Sequence, residues 1–106
     1  MLGESPKVFL HTYGCQMNLY DSELVASLLR SDGFSMTAYP EEAQVILINT
    51  CGVREHAEQR VLGRLRTLAT LKKRRPLLIG VLGCMAQRLR ETLHQEIPAV
   101  DFVVGP

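Results

Sequence analysis

The run Val45-Ile46-Leu47-Ile48-Asn49 is almost wholly apolar and too short for a helix, which suits a strand covered on both faces. Leu77 to Leu82 repeats the pattern, and the adjacent Val8, Phe9 and Leu10 place a short strand over Lys7 to Thr12. Between the two longer runs the period changes. Val53, Ala57, Val61, Leu65, Leu68 and Leu71 recur three or four residues apart, the spacing of an amphipathic helix. Buried strands that alternate with helices predict a parallel sheet with right-handed crossovers. The fold class expected is three-layer α/β: a mostly parallel twisted sheet with helices on both faces, flavodoxin/Rossmann-like, with a flavodoxin-like strand order.

The remaining segments fit that plan. Asn18 can cap a helix whose first turn holds Asp21 and Glu23, whose buried stripe is Leu24, Leu28 and Leu29, and which Gly33 ends. A weak strand over Ser35 to Ala38 and a turn at Pro40-Glu41-Glu42 lead into the central run. The basic run Lys72 to Arg75 suits a helix end, and Pro76 prevents its continuation. Met85 to Gln95 reads as a helix with Met85, Leu89 and Leu93 on one side, and Asp101 to Val104 as a last strand. The 106 residues fit a single domain, 1–106, with no repeat or internal linker.

Three cysteines, Cys15, Cys51 and Cys84, each follow an apolar run, precede a helical segment and have a glycine beside them: Gly14, Gly52 and Gly83. Ligands of an open parallel sheet gather at the carboxyl ends of its strands, so three thiols at three strand ends can converge. A single cysteine is most often a small buried hydrophobe. Three placed alike point to a metal or an iron-sulfur cluster. A helix start lowers the thiol pKa toward the thiolate that a metal requires, and flanking glycines let backbone N–H groups approach bridging sulfides.

The opening residues lack a signal peptide's basic start and apolar stretch, and no apolar run reaches the roughly 18 residues of a membrane span. A cytoplasmic protein is the expectation, and there thiols stay reduced; an odd number of cysteines also argues against a disulfide framework. The net charge of +1 gives no global attraction to polyanions. Any nucleic-acid contact must therefore be local, with Lys72 to Arg75 and the preceding Arg60, Arg64 and Arg66 as candidates beside their reading as a solvated helix face.

Zinc fits the thiols less well, since structural zinc usually takes four ligands with one close pair and no C-x-x-C occurs. His11, His56 and His94 are the candidates for a fourth ligand. Three cysteines without a fourth fit a cubane cluster with one open iron, a centre suited to chemistry. Arg54 and Glu55 fall where they can line the mouth of such a site. Cys84 to Arg90 has the cysteine-to-arginine spacing of thiol phosphatases, but the bulky Met85 and Leu89 suit a phosphate-binding loop poorly.

Thr12-Tyr13-Gly14-Cys15-Gln16-Met17-Asn18 with Tyr20-Asp21-Ser22-Glu23, then Asn49-Thr50-Cys51-Gly52-Val53-Arg54-Glu55, then Gly83-Cys84-Met85-Ala86-Gln87-Arg88 closely resemble the amino-terminal domain of the radical-SAM methylthiotransferases. The match covers nearly the whole chain. Gln16-Met17 after the first cysteine resembles the tRNA branch acting on N6-isopentenyladenosine; the ribosomal-protein branch typically has Pro-Lys there. The resemblance implies that Cys15, Cys51 and Cys84 hold an auxiliary 4Fe-4S cluster whose unique iron carries or presents the inserted sulfur.

It further implies a longer enzyme, with a radical-SAM domain holding a second 4Fe-4S cluster and a terminal RNA-binding domain, neither of which is found in these residues. There, one S-adenosylmethionine supplies the methyl group. Another is cleaved to a 5'-deoxyadenosyl radical that removes hydrogen from an adenine carbon with no acidic proton. The partner is tRNA, and the fragment by itself is expected to be inactive. Two alternatives stand beside this reading: the branch acting on threonylcarbamoyladenosine, and a non-catalytic flavodoxin-like module that binds a partner or small ligand.

Overall fold

The computed structural model describes residues 6–13, 16–50, 55–83 and 90–104. Their elements are β1 (Lys7–Thr12), α1 (Gln16–Ser31), β2 (Ser35–Thr37), a single 3-10 turn (Pro40–Glu42), β3 (Val45–Thr50), α2 (Glu55–Lys72), β4 (Leu78–Gly83), α3 (Arg90–Glu96) and β5 (Phe102–Val104). The strands form one fully parallel five-stranded sheet in the order β2-β1-β3-β4-β5, a flavodoxin-like arrangement. The strand order reverses between β1 and β3, the place where doubly wound sheets bind ligands.

The side chains of the central strands alternate between two unequal layers. Phe9 of β1, Ile46 and Ile48 of β3, and Ile79 and Val81 of β4 face one side, where they pack with Val61, Leu65 and Leu68 of α2 and Leu93 of α3. This is the main core. The periodicity that predicts α2 is therefore borne out at Val61, Leu65, Leu68 and the partly buried Leu71. Val53, Met85 and Leu89 lie outside the described residues, as does the side chain of Ala57. The opposite face holds Val8, Leu47 and Asn49, with α1 laid over β1 and β3.

Two expectations for α1 need correction. The helix begins at Gln16, directly after Cys15, so Asn18 is its third residue and neither Asp21 nor Glu23 lies in the first turn. Leu24 and Leu28 are 50% and 68% exposed and are not part of a buried stripe. Ser22 and Ala26 are buried instead, with Val25 and Leu29 half-buried. Small side chains let the helix lie close to the strands, and an apolar repeat alone does not say which side faces inward. The helix ends as expected: Gly33 has φ +97°, its N–H donates to Arg30 O at 3.1 Å, and Phe34 N–H donates to Leu29 O at 2.9 Å.

Half of the basic run is structural. Arg75 donates to Ala43 O at 2.5 Å and Pro40 O at 2.8 Å, which ties the end of α2 to the 3-10 turn. Lys72 donates to Ala99 O at 2.9 Å and pairs with Asp101 at 2.5 Å. The same Asp101 carboxylate accepts the Ile79 N–H at 2.8 Å, fixing the start of β5 against β4. Lys73 and Arg74 are left exposed.

Candidate functional site

The carboxyl ends of β1, β3 and β4 finish within one residue of one another. Thr12 pairs with Asn49, Asn49 with Leu82 and Leu82 with Val104, a single rung across four strands. Neighbouring parallel strands lie about 4.8 Å apart, so β1, β3 and β4 leave the sheet within about 10 Å of one another. Cys15 follows Thr12 by three residues, Cys51 follows Thr50 directly, and Cys84 follows Gly83 directly. The three cysteines themselves lie outside the described residues, as do Gly14, Gly52 and Arg54. The adjacency of the three strands that precede them in the chain, expected from the sequence, is present.

A polar network joins the strand ends. Ser22 Oγ on α1 accepts a hydrogen bond from Asn49 Nδ2 at 2.9 Å and shares another with Thr12 Oγ1 at 2.5 Å. Thr50 Oγ1 donates to Leu82 O at 2.7 Å, and Tyr13 N–H donates to Asn49 O at 2.8 Å. Buried polar groups persist only when hydrogen-bonded, and here the bonds run sideways from strand to strand and up to the helix. They fix where each strand stops. Gly83 adds a close approach: it has φ +102°, and a Cβ there would overlap the Thr50 carbonyl oxygen. Glycine at this position lets β3 and β4 converge just before Cys51 and Cys84.

Sequence reasoning singled out the thiols but missed Thr12, Ser22, Asn49 and Thr50. The available signal was polar residues closing an apolar run, which a buried strand tolerates only where partners wait. The structure also separates the three histidines. His11 stands on the α2 side of β1 in a row of rings, 6.1 Å from Phe9 and 4.6 Å from Tyr13 between centroids. Burial, helped by the charge of Arg64, holds its pKa below the ordinary histidine value, so the neutral ring is favoured. His94 is exposed on α3, and His56 lies on α2. Among the described residues, no three of His, Cys, Asp and Glu converge on a metal site.

Arg90, the arginine of the phosphatase-like spacing, donates to Val103 O at 3.3 Å on the edge strand. A depression of about 320 Å³ lies between α2 and α3, bridged by an ion pair of Arg66 and Glu96 at 3.0 Å. It adjoins the opposite end of the sheet, near Ala99 and the start of β5, and has no part in the strand-end site.

The family model described as "Uncharacterized protein family UPF0004" matches residues 7–105. The chain belongs to the UPF0004 family. A tRNA-2-methylthio-N(6)-dimethylallyladenosine synthase of Azobacteroides pseudotrichonymphae is 55% identical over 101 residues, covering 94% of this UPF0004 chain and 22% of the relative. The synthase of the same name from Chloroherpeton thalassium is 50% identical over 97% of this chain and 23% of its own length. A human mitochondrial tRNA methylthiotransferase is 48% identical across 100% of the chain and 18% of the relative. The chain thus spans about a fifth of the length of these curated relatives. Among the described residues, no helix of this UPF0004 chain is long and apolar enough to cross a membrane.

Proposed function

We propose that this UPF0004 chain, as one domain over residues 1–106, is the auxiliary cluster-binding part of a tRNA methylthiotransferase that adds a methylthio group to C2 of N6-isopentenyladenosine beside the anticodon. The supporting observation is the shared rung at Thr12, Asn49 and Leu82, beyond which each of three adjacent strands runs within three residues into a cysteine. The names of the relatives supply the reaction and the tRNA partner.

The donor set fits a 4Fe-4S cluster. Three thiolates suit iron, and Gly83, the residue before Cys84, brings no side chain to the close approach of β3 and β4. Cys15, Cys51 and Cys84 would hold it. Bound there, a cluster with three protein ligands supplies one open iron at which a sulfur atom can be presented. The residues of the chain do the rest. Each thiol gives up the proton on Sγ to become a ligand, and Cys15, the residue before α1, has the positive end of that helix to favour the thiolate. The hydrogen bonds among Ser22, Asn49 and Thr12 hold the strand ends at fixed separation, so the ligands do not have to be gathered when metal arrives. S-adenosylmethionine and a second 4Fe-4S cluster belong to other parts of the longer protein, which acts in the cytoplasm. The 106 residues alone are inactive.

The test is anaerobic reconstitution with iron and sulfide, on this chain and on the full-length protein, beside single Cys15→Ser, Cys51→Ser and Cys84→Ser variants. About four irons per chain, lost in each variant, is the expected result. A full-length protein that takes up no more iron than its three single variants do would sink the reading and leave a flavodoxin-like binding module.

A further inference from the structure

The two faces of the sheet are unequally covered. On the side away from α2 and α3, Val8 of β1 is fully buried and Leu47 of β3 is 6% exposed, both on the side that carries α1. Further along the same face cover falls away: Leu78 of β4 is 50% exposed and Val104 of β5 is 49% exposed, with Leu82 and Phe102 only half-buried. Phe102 leans over Gly80, where an added Cβ would meet its ring, so one aromatic side chain is the main cover for the backbone of β4 there. The register places these side chains on one surface, since Gly80 pairs with Phe102 and Leu82 with Val104. Leu24 and Leu28 of α1 add exposed apolar surface on the same side of the sheet.

Strands of a parallel sheet are ordinarily buried on both faces. Here half of one face is apolar and open. We propose that this surface, formed by Leu78, Leu82, Phe102 and Val104, is the seat of an amphipathic helix from the same polypeptide, carried beyond the position that matches Val104. Relatives about five times as long have ample chain to provide it. Handedness favours this side. β5 is the edge strand, and α1 marks the face on which a right-handed connection returns from right to left across this sheet. A chain leaving β5 and turning back over the sheet crosses the same face, beside α1. The side chains offered are aliphatic and aromatic, so the occupant presents leucine-like residues at helical spacing. The proposal is independent of the cluster.

Photocrosslinking in the full-length protein tests it, with a benzophenone amino acid placed at position 78 or at position 104 and the adducts mapped by mass spectrometry. The same probe at Thr70, exposed on α2, is the control. Both test positions are expected to join one common segment C-terminal to residue 106, at monomer mass, with at least tenfold more adduct than the control gives. Adducts at dimer mass would assign the face to a second copy and overturn the proposal. Crosslinks only within residues 7–104, or no excess over the control, would also overturn it.

Discussion

Gly83 sits opposite Thr50 at the last paired position of β3 and β4, at φ +102°, where a side chain would overlap the Thr50 carbonyl oxygen. Gly83→Ala adds a strained φ to an overlap with main-chain atoms, and main chain in a central strand has little room to give. A loss of about 2–4 kcal/mol in stability is expected from these two effects. Urea denaturation measures it. A loss below about 0.5 kcal/mol would mean that the two strand ends are not held this closely.

Ser22 is the hub between α1 and the strand ends. Ser22→Ala removes the acceptor used by Asn49 and the partner of Thr12. With the site buried, the expected cost is about 1–3 kcal/mol. Ser27→Ala, on the exposed side of the same helix, is expected to change stability by less than about 0.5 kcal/mol. Equal effects in the two variants would deny the hub its role.

His11 gives the fold a defined acid sensitivity. Its pKa is lowered in the fold, so between the unfolded value near 6.5 and the lower folded value the unfolded chain binds more protons. Stability is then full above about pH 6.5 and falls as the pH drops toward the folded pKa. His11→Gln is expected to flatten that slope. In an NMR titration, Arg64→Gln should move the His11 pKa upward, since it removes the smaller of the two causes and leaves burial in place. An unchanged or lower value would rule out the influence of Arg64.

The basic run divides by role. Arg75→Ala breaks charge-assisted bonds to the Ala43 and Pro40 carbonyls and is expected to cost about 2 kcal/mol. Arg74→Ala, at an exposed position, should stay within about 0.5 kcal/mol. Under the proposed function, Lys73→Gln with Arg74→Gln in the full-length protein should lower the salt dependence of tRNA binding by about two phosphate contacts without changing thermal stability. An unchanged slope would remove this corner from the RNA interface.

The sequence carried most of the fold because its strongest signals are local. Val45 to Thr50 and Leu78 to Gly83 are strands buried in the middle of a sheet, where apolar character is continuous and hard to misread. The observed strand order is the flavodoxin-like one expected, although alternation with helices and the handedness of crossovers restrict the order without selecting it. The orientation of α1 was not legible, because Tyr20, Leu24 and Leu28 imitate a core stripe while Ser22 and Ala26 do the packing. Small residues carry little hydropathy, so close packing through them leaves a weak trace. At the candidate site, adjacency of the three strand ends was legible from topology alone. The partners of Asn49 and Thr12 were not, since a hydrogen bond to Ser22 is a meeting of distant residues that no local pattern encodes.

The level rung at the strand ends sets an order of events. Cys15, Cys51 and Cys84 are 36 and 33 residues apart along the chain, so an extended or newly made polypeptide contains no short chelating pair. Only parallel pairing of β1, β3 and β4 brings the following residues together, and such pairing is slow because a long loop must close for each strand. Under the proposed function, assembly of the protein then precedes loading, the reverse of small zinc modules that fold around their metal. On that proposal, anything that loosens the sheet opens all three cysteine positions together, and a bound cluster would leave in one step.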